Sequence, residues 1–177
     1  MNRLGIVVDV THASDQTTRD ILETTTKPVI ASHSNARAVH HHLRNLTDDM
    51  IRAIGQAGGV VGAVAVPNFI SGGEPTVHAW ADHIAHMIEI AGIDHVGIGT
   101  DFFHYGSNVG AAPGIAESDF GGPRSSFVRA EFAGMQSPED LPALTAELRG
   151  RGLREAELRK IYRTNFLRVL SAVEGVR

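Results

Sequence analysis

Short apolar runs of strand length alternate with segments of helical period, and this alternation constrains the fold more than any single motif. The strand-like runs lie at 5–10, 29–32, 60–66 and 96–99. Between them fall stretches of helical spacing: 14–24 behind a Ser14 N-cap, 48–57 with Met50, Ile51 and Ile54 on one face, and 77–91. Such alternation builds βα units around a parallel sheet. After the fourth run, 101–137 is rich in Gly, Pro and Ser and reads as a long loop or lid. Two helices are expected to close the chain over 138–177, with Leu158, Ile161, Phe166, Leu167 and Leu170 on the apolar face of the last. Four parallel strands are half of what a (β/α)8 barrel needs, and such barrels commonly take about 250 residues. The 177 residues are therefore expected to form a single partial domain, the C-terminal half of a (β/α)8 TIM-type barrel.

His12 and His33 each stand at the end of a strand-like run and just before polar residues that open the next segment. Both imidazoles would thus leave the same end of the sheet, the end where α/β proteins build their sites. The run His95-Val96-Gly97-Ile98-Gly99-Thr100 delivers Asp101 to the corresponding place. Two imidazoles and a carboxylate suit zinc, which takes nitrogen and oxygen ligands and lowers the pKa of bound water to roughly 7. The chain has no cysteine, so disulfides and thiolate zinc sites are excluded. A net charge of −4 gives no electrostatic case for nucleic acid or an anionic membrane. No apolar run reaches the roughly 18 residues of a membrane span, and the first residues lack a signal-peptide pattern, so a cytoplasmic location is expected.

Several short motifs together resemble the membrane (renal) dipeptidase family of binuclear zinc peptidases. They are Asp9-Val10-Thr11-His12, Ser32-His33-Ser34-Asn35, Arg44-Asn45 followed by Asp48-Asp49, Gly97-Ile98-Gly99-Thr100-Asp101-Phe102, and Asn165-Phe166-Leu167-Arg168-Val169. The resemblance implies a metal-dependent hydrolase barrel that cleaves dipeptides with little demand on side chains, often with a D-residue at the C-terminal position. It implies that His12 and His33 are the two histidines of the second zinc. Arg44 matches the arginine that holds the substrate carboxylate. Asp101 matches the last-strand aspartate that contacts the substrate amino group and serves in proton transfer.

Two departures from the family pattern limit the activity expected of this chain. The family's His-x-Asp pair, its bridging glutamate and a further histidine that polarises the substrate all precede the region matching Met1. This chain alone is then expected to hold at most one zinc weakly, where the complete site takes two, and to be inactive by itself. Many members also continue with Asp-Phe-Asp-Gly where this chain has Asp101-Phe102-Phe103-His104, which leaves substrate preference open. Two alternatives stand beside a partial dipeptidase: a non-catalytic fragment or binding module, and one subunit of a split or self-associated barrel, since half a barrel exposes two strand edges. The expected partners are a dipeptide and either a second copy or the missing N-terminal half. Other features weigh less. The run His40-His41-His42 points its side chains in different directions if helical, and His83 and His86 are expected on the outer face of a barrel helix. Gly97-x-Gly99 lacks the third glycine of a dinucleotide fingerprint, and Ser32 and Ser34 are not in a nucleophile elbow.

Overall fold

The computed structural model describes residues 1–102, 135 and 137–175. Most of the expected 101–137 loop therefore lies outside the described residues.

Four strands, β1 (Val8–Asp9), β2 (Val29–Ala31), β3 (Val60–Ala63) and β4 (Val96–Ile98), form one sheet in the order β1-β2-β3-β4, every pair parallel. Strands that neighbour one another in chain order show no reversal of winding, which is the barrel pattern rather than that of a doubly wound sheet. The expected half-barrel of four parallel strands is what the chain forms, with β1 and β4 at the edges.

Each connecting helix starts where the sequence supplies a cap. The Thr17 N–H donates to Ser14 Oγ at the head of α1 (Asp15–Thr24). Thr47 caps α2 (Asp48–Gln56), with Asp48 and Asp49 placed favourably in its first turn. A short helix, α3 (Pro67–Ile70), follows β3, and Thr76 caps α4 (Val77–Ala91). Pro67 opens α3. Its fixed φ suits the first helical position, where its missing N–H costs nothing.

The sheet is covered on both faces. Val29, Ala31, Val61 and Val96 pack with Ile51 and Ile54 of α2 and with Trp80, Ile84 and Met87 of α4, all fully buried. The alternate residues Ile30 and Val60 join Val7 against Val169, Val173 and Phe166 of the last helix, as the two-residue period of a strand requires. α5 (Leu141–Gly150), α6 (Glu155–Arg159), a π turn over Lys160–Thr164 and α7 (Asn165–Glu174) complete the chain. The π turn corrects the expected apolar face. Its wider i→i+5 spacing delays the buried stripe by about one residue, so Val169 and Val173 are buried while Leu167 and Leu170 are exposed.

Asn165 is buried at the foot of β4, where its Nδ2 donates to the Ile93 and Val96 carbonyls at 2.8 and 2.7 Å. Phe166 beside it explains the glycine spacing in the last strand. A Cβ on Gly97 would run into the Phe166 ring, and one on Gly99 would run into the Ser32 carbonyl. These glycines are demanded by close packing, not by a nucleotide.

Candidate metal centre

His12, His33, Arg44 and Asp101 meet at the C-terminal end of the sheet. His12 Nε2 and His33 Nε2 face each other at 3.0 Å, with ring centroids 5.1 Å apart. Arg44 Nη2 lies 3.1 Å from His12 Nε2, and His33 Nε2 lies 4.0 Å from Asp101 Oδ2. The segments just past β1, β2 and β4 and the loop before α2 thus each contribute one side chain.

The backbone is strained where it delivers two of them. His12 (φ 69°) and Asp101 (φ 57°) are the non-glycine residues with positive φ among the described residues. Such conformations are costly for side-chain-bearing residues and persist where surrounding structure imposes them, commonly at functional sites. At His12 the imposing group is Asp9, whose Oδ1 accepts the Thr11 N–H at 2.9 Å and the Ser32 N–H at 3.0 Å. Asp9 Oδ2 accepts the Ser32 hydroxyl at 2.5 Å. Partial burial acts to raise the Asp9 carboxyl, but the hydrogen bonds from Ser32 and Thr11 outweigh it and hold the group below its usual range.

The electrostatics keep His12 neutral and Arg44 available. Burial, then the nearby Arg44 charge and His33, lower the His12 pKa against the opposing pull of Asp101 and Asp9. A neutral imidazole presents the lone pair that a metal needs. Arg44 is half-buried, which disfavours its charge, and Asp101 and Asp9 offset this only in part. Its guanidinium stays protonated, 5.4 Å from the centroid of the buried Phe69 ring, and His42 packs against the same ring at 4.6 Å. The His42 Nδ1 accepts the Arg44 N–H at 3.1 Å.

The donor set fits a zinc ion in part. Two Zn–N bonds of 2.0–2.1 Å at a tetrahedral angle place their nitrogens roughly 3.3 Å apart, close to the observed 3.0 Å. Among the described residues no group of three or more His, Cys, Asp or Glu converges to hold a metal. The two imidazole nitrogens alone thus fall short of the ligand number a zinc site needs.

Behind the site lies a buried polar brace that the sequence does not announce. Asn35 Nδ2 donates to the Val64 carbonyl at 2.9 Å, and its Oδ1 accepts the Val64 N–H. Asn45 Nδ2 donates to the His40 and Phe69 carbonyls, which fixes the Arg44 loop onto α3. His83 corrects the expectation of an outer position: it is fully buried, its Nδ1 accepting the Ala36 N–H and its Nε2 donating to the Ile70 carbonyl. His86 is partly buried and pairs with Asp48 at 2.8 Å. The partners of these side chains are mostly backbone groups distant in sequence, so no local pattern marks them.

His83 carries a pH prediction. Burial lowers its pKa, only partly opposed by its bond to the Ile70 carbonyl. The unfolded chain then binds the proton more readily, so the His83 contribution to stability is complete above the ordinary histidine value of roughly 6.5 and is lost as pH falls below it. Urea midpoints should drop between about pH 7 and pH 5, and drop less in His83→Gln, which has a donor and an acceptor but cannot titrate. Equal pH slopes for the two proteins would contradict this.

A cleft of about 850 Å³ lies elsewhere, between α4 and α5. Its charges are spent on one another: Arg151 pairs with Asp82 and Glu147, and His78 with Glu147. Chemistry therefore favours the strand ends. Among the described residues no helix is long and apolar enough to cross a membrane.

The chain is similar in sequence and fold to known proteins. The membrane dipeptidase family (peptidase family M19) matches residues 1–113 and 114–177. Dipeptidase verJ of Clonostachys rogersoniana is 32% identical over 176 residues, covering 99% of this chain and 39% of that protein. An uncharacterised dipeptidase of Schizosaccharomyces pombe is 44% identical over 105 residues, 58% of this chain and 25% of that protein. A metallo peptidase from Rhodobacter sphaeroides, solved with a phosphinate mimic of the dipeptide L-Ala-D-Ala, superposes with a TM-score of 0.76 at 28% identity, over 97% of this chain and 44% of that one. An amidohydrolase from Pseudomonas aeruginosa gives a TM-score of 0.79 at 29% identity, over 99% of this chain and 55% of that one. The chain spans well under two thirds of the length of each of these relatives. With its whole length matched, the chain belongs to the membrane dipeptidase family.

Proposed function

We propose that this chain is the C-terminal half-barrel of a zinc-dependent dipeptidase and supplies the substrate-recognition side and half of the metal ligands. The observation that carries the reading is the convergence of His12 Nε2, His33 Nε2 and Arg44 Nη2, with His12 Nε2 about 3 Å from each of the other two. Relatives named as dipeptidases, and one solved with a dipeptide mimic, support the substrate class.

His12 and His33 would hold the ion. Bound zinc supplies a Lewis acid and an activated water for peptide hydrolysis. Arg44 offers a planar fork to the substrate carboxylate. Asp101, exposed at the β4 end, balances the substrate ammonium and takes up or returns a proton. The complete site would take two zinc ions; this chain alone would hold at most one, weakly, and would not turn over substrate. The test is hydrolysis by the chain joined to the N-terminal half of a family member, with and without zinc.

A partner half is favoured by the sheet edges. The outer edges of β1 and β4 have no strand partner among the described residues, and Met1, Leu4 and Ile6 beside β1 are 67%, 63% and 46% exposed. Unpaired edges flanked by apolar side chains invite pairing with another chain. The isolated protein is expected to scatter light as a dimer or larger species, and a monodisperse monomer with a sharp thermal transition would count against this.

A further inference from the structure

We infer that Asp9 is the positioning residue for both histidines, acting on His33 through Ser32 and on His12 through the turn at Thr11. The inference rests on reading His12 and His33 as metal ligands, and extends it to what aims them.

An ionised carboxylate can only accept hydrogen bonds, so each Asp9 contact fixes a direction in its partner. The Ser32 hydroxyl is spent on Asp9 Oδ2 at 2.5 Å. Its oxygen, 2.9 Å from His33 Nδ1, then has no hydrogen left and must accept from that nitrogen. The other neighbour of Ser32 Oγ, Thr11 Oγ1, is farther away at 3.3 Å. His33 is thereby set to carry its proton on Nδ1, leaving the Nε2 lone pair facing His12 at 3.0 Å.

On the other side, the bond from the Thr11 N–H to Asp9 Oδ1 closes the turn that carries the chain into the left-handed region at His12. Arg44, which can only donate, lies against His12 Nε2 at 3.1 Å and requires a lone pair there too. With no hydrogen on either Nε2, no hydrogen bond spans the 3.0 Å between them, and a cation that displaces the Arg44 hydrogen can draw on both lone pairs. One carboxylate therefore organises two ligands from two strands. Outer hydrogen-bond partners of this kind fix the tautomer and orientation of ligating histidines in metal sites generally.

The test is Asp9→Asn. The amide oxygen still accepts both backbone N–H groups, but the amide nitrogen in place of Oδ2 donates to Ser32. The Ser32 hydroxyl then turns to donate to His33 Nδ1, and the imidazole proton moves to Nε2. Nitrogen-15 spectra of the metal-free 177-residue chain, at about pH 8 where an ordinary imidazole is neutral, should show His33 protonated on Nδ1. Asp9→Asn should show it protonated on Nε2, Ser32→Ala a mixture of tautomers, and Ser32→Thr a return to Nδ1. Zinc followed at the His33 resonances, which separates this site from His40–His42, should bind roughly 10–100-fold more weakly in Asp9→Asn and Ser32→Ala.

Should Asp9→Asn fail to fold, Ser32→Ala alone decides the matter. Protonation of His33 on Nε2 in the unmodified chain, or on Nδ1 in every folded variant, overturns the proposal. If the tautomer follows Asp9 but the His33 resonances ignore zinc, the positioning role stands and the ligand reading falls.

Discussion

Joined to the N-terminal half of a family member, the chain is expected to hydrolyse dipeptides only when zinc is present, and His33→Ala in that barrel is expected to remove activity together with one metal ion. The His33 imidazole is held by Ser32 at Nδ1, which leaves its Nε2 facing His12 at 3.0 Å. Alanine removes a donor that no described side chain can replace, because Asp101 Oδ2 lies 4.0 Å from the vacated nitrogen position. His12 alone would keep one bond where a catalytic zinc uses three protein ligands. The loss in kcat/KM should exceed the roughly 10–100-fold seen on removal of an outer hydrogen-bond partner. Metal content and turnover measured on the same samples decide the outcome. Full metal content with full activity in the variant would remove His33 from the ligand set. Equal activity of the unjoined 177-residue chain, freed of contaminating peptidases, would remove the need for a second half.

Much of this site is legible in the amino-acid order alone, for a simple physical reason. Parallel strands are buried on both faces and so read as short continuous apolar runs, and the residue after each run stands at the end of the sheet where ligands gather. That reasoning places His12, His33 and Asp101 together. What it does not reach is the machinery that aims them. Asp9 and Ser32 look like ordinary strand-end polar residues; their importance is in a cross-strand bond between positions 23 apart. The left-handed backbone at His12 and Asp101 has no compositional mark, since neither is glycine. His83 and His86 share a helix and a spacing of three, yet one is fully buried and the other reaches Asp48, because each is placed by the rotation of α4 against its neighbours. The π turn escapes for a related reason. A periodic pattern shows a helix but not a single wider turn within it, so the expected stripe falls out of phase beyond Thr164. Local chemistry is written in the sequence, and long-range contacts decide which of its surfaces are used.

Arg44 is where those two levels meet, and Arg44→Ala in the joined barrel is expected to raise KM about 10–150-fold while changing kcat much less. A charge-assisted hydrogen bond is worth roughly 1.5–3 kcal/mol, and each 1.4 kcal/mol is about tenfold in an equilibrium constant. The substrate carboxylate does not change charge as the peptide bond breaks. Its bond to Arg44 is therefore made equally in the bound and transition states, which appears in KM. The geometry favours such a role over that of a solvated surface charge. The guanidinium is half-buried, no described carboxylate pairs with it, and it lies over the Phe69 ring. Burying a cation without a counter-charge is costly, and an incoming carboxylate supplies the missing one. Arg44→Lys should recover only part of the loss, because a point charge lacks the planar fork. An unchanged KM in Arg44→Ala, or a fall in kcat alone, would assign the carboxylate to another cation.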